Sequence, residues 1–307
     1  MSSFRLSSPV TAPRPGQRFG NYLLGDLVGR GGFASVYRGS HIYLNTVVAL
    51  KLLHASLERE EEIRFRREAY VAAHLVHPRI IRVLDYGIQE RTPYLVMDYA
   101  PHGNLQHRYP PGTRLAPPLV CAYTRQVAAA LQYLHGKHLI HRDVKPGNIL
   151  LGAHDELLLS DFGITVVLDG AQETVHQRGA GTSDYIAPEQ ILGEALFPSD
   201  QYSLGVMVYQ WLCGTLPFHG TPLTIRRRHL SMPPPSLRAL NPDITPALEE
   251  VVLRALAKNP HDRFESVQDF AGALDRACGE SKHHAASSYP TQEKPIPSDV
   301  WSAEGCV

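Results

Sequence analysis

Two short strings constrain this chain more than anything else in it. His141-Arg142-Asp143-Val144-Lys145-Pro146-Gly147-Asn148 is followed, thirteen residues after Asn148, by Asp161-Phe162-Gly163. Together they supply a candidate base (Asp143), a cation (Lys145) and two oxygen ligands for a metal (Asn148 and Asp161). The spacing lets two loops converge on one triphosphate. Phosphoryl transfer needs those parts and little else, because the catalyst mainly positions the reactants and neutralises charge. Alone, Asp-Phe-Gly is an ordinary turn; in this order, with the partners below, it reads as chemistry.

The remaining pattern predicts the scaffold. From Tyr22 to about Tyr99 the chain reads as strands, with apolar runs at Val47–Leu53, around Ile80–Leu84 and at Tyr94–Met97. Five antiparallel strands are expected. One helix interrupts them, with Phe65, Ala69, Ala72, Ala73 and Val76 on one face and the pairs Glu60–Arg64 and Glu62–Arg66 on the other. After Asn104 the period becomes helical. Val120, Tyr123, Val127, Ala130, Leu131 and Leu134 form one stripe, and Tyr202–Cys213 is apolar nearly all round, as in a helix buried on every side. Ser199 is the expected N-cap of that helix and Gly214 its stop. The fold class is therefore α+β, with a small sheet-rich lobe over about 22–100 and a larger helical lobe over about 101–278. Residues 1–21 read as a flexible arm and 279–307 as a disordered tail.

Charge excludes some partners. Thirty basic residues balance thirty acidic ones, so no global field attracts nucleic acid or anionic lipid. Arg226-Arg227-Arg228 reads as a solvated helix face. Four widely spaced cysteines without a CxxC pair argue against a zinc site or a disulfide framework and for a reducing compartment. There is no apolar run of about 18 residues and no hydrophobic leader segment, so a cytoplasmic protein without a membrane span is expected. Of His135, His138 and His141, two read as structural.

Further candidates join the two loops. Val28-Gly29-Arg30-Gly31-Gly32-Phe33-Ala34-Ser35-Val36 lies between two strands, where glycines let backbone N–H groups approach phosphate oxygens. It lacks the GK[ST] of a Walker loop, and a strand rather than a helix follows it. Lys51 sits inside an apolar strand and Glu68 beside a buried helix face. Each charge is expensive there alone, so an ion pair between them is expected.

With these residues in place, the chain resembles the eukaryotic-type protein kinases, most closely the bacterial Ser/Thr members, over about residues 22–278. The resemblance rests on the glycine loop, Val48-Ala49-Leu50-Lys51, His141 to Asn148, Asp161-Phe162-Gly163 and Ala187-Pro188-Glu189 in that order. It implies a two-lobed kinase fold, ATP as phosphoryl donor, Mg²⁺ (with Mn²⁺ as the alternative) and protein Ser/Thr hydroxyls as acceptors. Asp143 would be the catalytic aspartate, and Lys51 with Glu68 the pair that marks an active state. Asp98 and Ala100 would offer hinge backbone groups to adenine, with Met97 as gatekeeper and Asn104 near the ribose. Val36, Ala49 and Leu150 would sandwich the base, Glu189 would bridge to Arg263, and Asp200 would brace the catalytic loop. Lys145 resembles the Ser/Thr class. Arg142 implies control by phosphorylation of the activation loop, with Thr174 the leading autophosphorylation site. Ala34 replaces the loop's third glycine. A nucleotide-binding pseudokinase scaffold is the alternative, and a small-molecule phosphotransferase a third class. A homodimer through the small lobe stays open.

Overall fold

A computed structural model describes residues 13–32, 34–54, 57, 59–161 and 180–286, without the side chains of 180–182 and 280–286. In chain order the elements are β1 (Arg18–Phe19), β2 (Tyr22–Arg30), β3 (Ala34–His41), β4 (Val47–Leu53), α1 (Arg59–Ala73), β5 (Val83–Gln89) and β6 (Thr92–Asp98). Then follow α2 (Leu105–Arg108), α3 (Pro117–Gly136), β7 (Ile149–Leu151), β8 (Leu157–Leu159), α4 (Pro188–Ile191), α5 (Phe197–Cys213), α6 (Pro222–Ser231), α7 (Leu237–Leu240), α8 (Pro246–Ala255) and α9 (Val267–Ala286).

The small-lobe sheet runs β1-β2-β3-β4-β6-β5, antiparallel throughout. It has six strands rather than the expected five. The extra one, β1, lies inside the segment read as an arm, because Phe19 is buried and meets Tyr94 edge-on at 5.6 Å. Period-two alternation divides the sheet's two faces. Val48, Leu50, Leu52 and Val96 pack with Tyr37 and Tyr94 on one side. Ala34, Ala49, Leu53, Leu95 and Met97 join the main core on the other.

Phe65, Ala69 and Ala72 bury the inner face of α1, and Glu62 pairs with Arg66 at 2.8 Å on the outer side. Val76 departs from the expected stripe: α1 ends at Ala73, and Leu75 turns inward while Val76 is 70% exposed. The run around Ile80–Leu84 is also no strand at its start. Ile80 instead bridges Leu159 of β8, and Ile81 N–H donates to the Leu159 carbonyl at 2.9 Å. These bonds tie the small lobe to the floor of the large one.

Helix α5 is buried along nearly its whole length. Its N-cap is Leu196, not Ser199; Ser199 stands at the third helical position and accepts from the Leu196 N–H at 3.0 Å. Gly214 closes the helix with φ of 76°, and a Cβ there would lie 3.0 Å from the Gly112 carbonyl oxygen. Helices α3 and α9 pack side by side, which brings Cys121 and Cys278 together in a disulfide across 157 residues. The expectation of unpaired thiols is thereby overturned, since sequence spacing carries no information about helices that meet only in the fold. Helix α9 also continues past Cys278 to Ala286, because polar composition does not end a helix whose backbone ladder persists.

Candidate active site

The catalytic loop is built around one buried carboxylate. Asp200, 1% exposed on α5, accepts from the His141 N–H at 2.9 Å, the Arg142 N–H at 2.8 Å and His135 Nε2 at 2.8 Å. Arg142 has φ of 68°, a left-handed backbone that ordinary side chains disfavour by roughly 1–2 kcal/mol. Its amide is held by Asp200 and its carbonyl by Gln190 Nε2 at 2.7 Å, so both ends of the strained unit are fixed. His141 Nε2 lies 2.9 Å from the Ser160 carbonyl, which can only accept. That places the ring hydrogen on Nε2 and lets Nδ1 accept the Asp143 N–H at 3.2 Å.

On this frame Asp143 is oriented atom by atom. Its Oδ2 accepts from Lys145 Nζ at 2.7 Å and from Asn148 Nδ2 at 2.9 Å. Its Oδ1 has no partner among the described residues. Asn148 Nδ2 also donates to the Asp143 carbonyl at 2.8 Å, so its amide nitrogen is occupied and its Oδ1 is turned elsewhere. The Asn148 carbonyl accepts from Ser160 N–H at 2.9 Å and Ser160 Oγ at 3.0 Å, which places Asp161 beside this loop.

Asp161 also has a left-handed backbone, with φ of 63°. Lys51 Nζ donates to its Oδ1 at 2.6 Å. Burial alone would raise this carboxyl, but Lys51, with Lys145 and His141, holds it below its usual value, so it is ionised. The expected Lys51–Glu68 pair is absent among the described residues. Glu68 Oε2 is buried without a hydrogen-bond partner, and burial pushes its carboxyl up to about 7 against the pull of Arg142 and Arg64. The physical reason is the placement of α1. Sequence fixes the helix face that carries Glu68, whereas the distance to β4 depends on how the helix is set against the sheet.

In the glycine loop, Gly29 pairs with Val36, which pairs with Lys51, so the three share a face. A Cβ on Gly29 or Gly32 would meet no described atom within 4 Å. The Gly31 N–H already donates to the Ala34 carbonyl at 2.8 Å and closes the hairpin, so it is not the phosphate-facing amide expected. Ala34, Arg30 and Ser35 continue the hairpin in ladder register. Val28 is exposed beside it.

Met97 pairs with Ala49, and both lie in the core against which Val36 and Leu150 pack. Residues of both lobes thus pack against one core. The Asp98 N–H donates to the Arg82 carbonyl at 3.0 Å, which leaves only its carbonyl for a ligand. Ala100 follows, half-buried, just beyond β6. Asn104 Oδ1 caps α2 by accepting from the His107 N–H at 2.9 Å. Phe33 and Thr174 lie outside the described residues.

Glu189 and Arg263 form a two-pronged pair at 2.7 and 2.8 Å. Ser199 Oγ donates to Glu189 at 2.7 Å and Arg263 Nη1 to the Pro198 carbonyl at 2.8 Å. The pair fixes the end of α4 to the turn before α9. His135 and His141 are the two structural histidines, whereas sequence reasoning missed Gln190 and Ser199 as braces. The only hint was their polarity within or beside apolar helices.

Residues 22–272 match the protein kinase domain family. The chain is 38% identical over 277 residues to the serine/threonine-protein kinase Pkn1 of Myxococcus xanthus, covering 87% of this chain and 40% of that one. It is 37% identical over 265 residues to PknB of Mycolicibacterium smegmatis, covering 83% and 42%. With PrkC of Bacillus subtilis the identity is 33% over 262 residues, covering 84% and 40%. The chain spans about two fifths of the length of these relatives. It belongs to the protein kinase family. Among the described residues, no helix is long and apolar enough to cross a membrane.

Proposed function

We propose that this protein is an ATP-dependent serine/threonine kinase that transfers the γ-phosphoryl group to hydroxyls of protein substrates, and to its own activation loop. The observation that carries this reading is the state of Asp143. Lys145 and Asn148 occupy one carboxylate oxygen, while the other accepts from none of the described residues and can take the proton of an incoming hydroxyl. As that hydroxyl attacks, its proton passes to Asp143, assistance typically worth about 10²–10⁴-fold in rate. Lys145 sits beside the same carboxylate and offsets charge on the transferring group. Lys51 orients the α- and β-phosphates once it exchanges Asp161 for them, and Glu68 supports Lys51 in that state. The open face at Gly29 and Gly32 suits the phosphates, and the slot of Val36, Ala49, Met97 and Leu150 suits the adenine. Asp98 and Ala100 offer it backbone groups.

Asn148 Oδ1 and the ionised Asp161 are hard oxygen donors, the set that Mg²⁺ or Mn²⁺ takes. When bound, the cation neutralises phosphate charge. Arg142 and Thr174 belong to regulation in this reading. The ATP requirement favours action in the cytoplasm.

Incorporation of ³²P from ATP into the protein itself and into myelin basic protein, with Mg²⁺ or Mn²⁺, tests the reading. Asp143→Ala should lower it at least 10²-fold. Equal incorporation by wild type and variant defeats it.

A further inference from the structure

The residue after β4 reaches back to the glycine loop. His54 Nδ1 lies 3.2 Å from the Gly32 carbonyl oxygen and His54 Nε2 lies 2.8 Å from Ser35 Oγ. The carbonyl can only accept, so Nδ1 carries the hydrogen and Nε2 accepts from the Ser35 hydroxyl. Both ring nitrogens are thus used, with one hydrogen bond to each side of the loop tip. Gly32 and Ser35 bracket the position where Ala34 stands in place of a glycine.

The sheet register shows from which side the ring grips. Ser35 pairs with Leu52, and Ala34 with Leu53. Side chains alternate along β4, so Leu52 and its partner Ser35 share one face while Lys51 and Leu53 share the other, and His54, at the bend after the strand, reaches Ser35. His54 and Ser35 therefore meet on the face opposite Lys51, outside the proposed nucleotide slot. The clasp can fix the loop without occupying the space that phosphates need.

We propose that His54 is a positioning residue for phosphoryl transfer: it pins the glycine loop from its outer face through Gly32 and Ser35. An alanine at position 34 stiffens the loop locally, and the imidazole sets where the stiffened loop rests. Freedom removed from the loop before binding is freedom that nucleotide binding need not remove. His54 is exposed, and it contributes little to the core. The proposal rests on the reading of this loop as the cover of the nucleotide phosphates.

The test compares steady-state kinetics, nucleotide binding and thermal melting of the full chain carrying His54→Ala, His54→Asn, Ser35→Ala, or H54A with S35A. His54→Ala should raise KM for ATP about three- to tenfold, the range expected from losing one or two partly exposed hydrogen bonds. KM for myelin basic protein should stay unchanged, and Tm should move by less than about 2 °C. His54→Asn should recover most of the loss, because its side-chain amide can donate to the Gly32 carbonyl as Nδ1 does. The double variant should be no worse than His54→Ala, since Ser35 acts through the ring. Four results overturn the clasp: an unchanged KM for ATP, an equal rise in both KM values, no recovery by Asn, or additive losses in the double variant. Wild-type protein that binds no MgATP by calorimetry overturns the kinase reading as well. Normal wild-type binding with an inert His54→Ala overturns the clasp alone.

Discussion

Glu189 and Glu68 are both acids on helices that border the core, and they are treated in opposite ways. Glu189 receives two hydrogen bonds from a guanidinium that is itself fully buried, and a third from Ser199. Burial would raise its carboxyl, but Arg263 holds it below the usual value. Glu68 has an oxygen that is buried and unbonded, and its carboxyl is pushed up to about 7. The carboxylate of Glu189 is thus fully hydrogen-bonded, whereas Glu68 keeps an oxygen without a hydrogen bond among the described residues. A satisfied buried pair stabilises one arrangement; an unsatisfied acid leaves its helix close in energy to another. The first ties α4 to the turn before α9; the second leaves α1 without such a tie at Glu68.

The sharpest way to break this contrast is at the partner Glu68 lacks. Lys51→Met should lower phosphoryl transfer by more than about 10²-fold, because it removes the cation proposed to orient phosphate. Its present contact with Asp161 is partly exposed, so melting should fall by no more than about 4 °C. A collapse of folding would make Lys51 structural and erase the contrast.

Glu189→Ala should do the reverse. It strands a buried guanidinium, a loss of about 3–5 kcal/mol, and should lower Tm by roughly 10 °C or more. Because the folded carboxyl titrates below its usual 4.5, its contribution is present above that value and disappears as pH falls through the folded one. Melting curves of wild type and variant should therefore approach each other in acid. A constant gap from pH 7 to pH 3 would contradict the pairing.

The smallest effect is the most diagnostic. Glu68 binds its proton more tightly folded than unfolded, so stability is greatest below pH 4.5, declines towards pH 7 and stays at the lower level above it. Glu68→Gln should then raise Tm by about 1–3 °C at pH 8 and hardly at all at pH 4.5, the gain being limited by solvent screening. The same variant should lower kinase activity, since the carboxylate is proposed to support Lys51. Lower stability at pH 8 would show that Glu68 already has a stabilising partner.

The same comparison explains what the sequence could and could not disclose. Asp143, Lys145 and Asn148 fall within six residues, so local chain geometry alone brings them together. The buried helix over Tyr202–Cys213 was legible because packing on every side leaves a continuous apolar run. Lys51 and Glu68 were each marked as costly charges, but their actual neighbours, Asp161 and Arg142, depend on how a helix is placed rather than on its periodicity. Cys121 and Cys278 show the same limit at longer range. Strand β1 was hidden for a different reason. Two residues are too few to show alternation, and only the burial of Phe19 against Tyr94 reveals it.

Asp200 projects from a helix enclosed along nearly its entire length, and it holds three donors that set the backbone before Asp143. The proposed acceptor of the hydroxyl proton is consequently moored to a helix buried along nearly its whole length. A signal that silences this protein has little leverage on that mooring. In the proposed mechanism it would act on α1, where a shift of the helix would let Lys51 exchange Asp161 for Glu68.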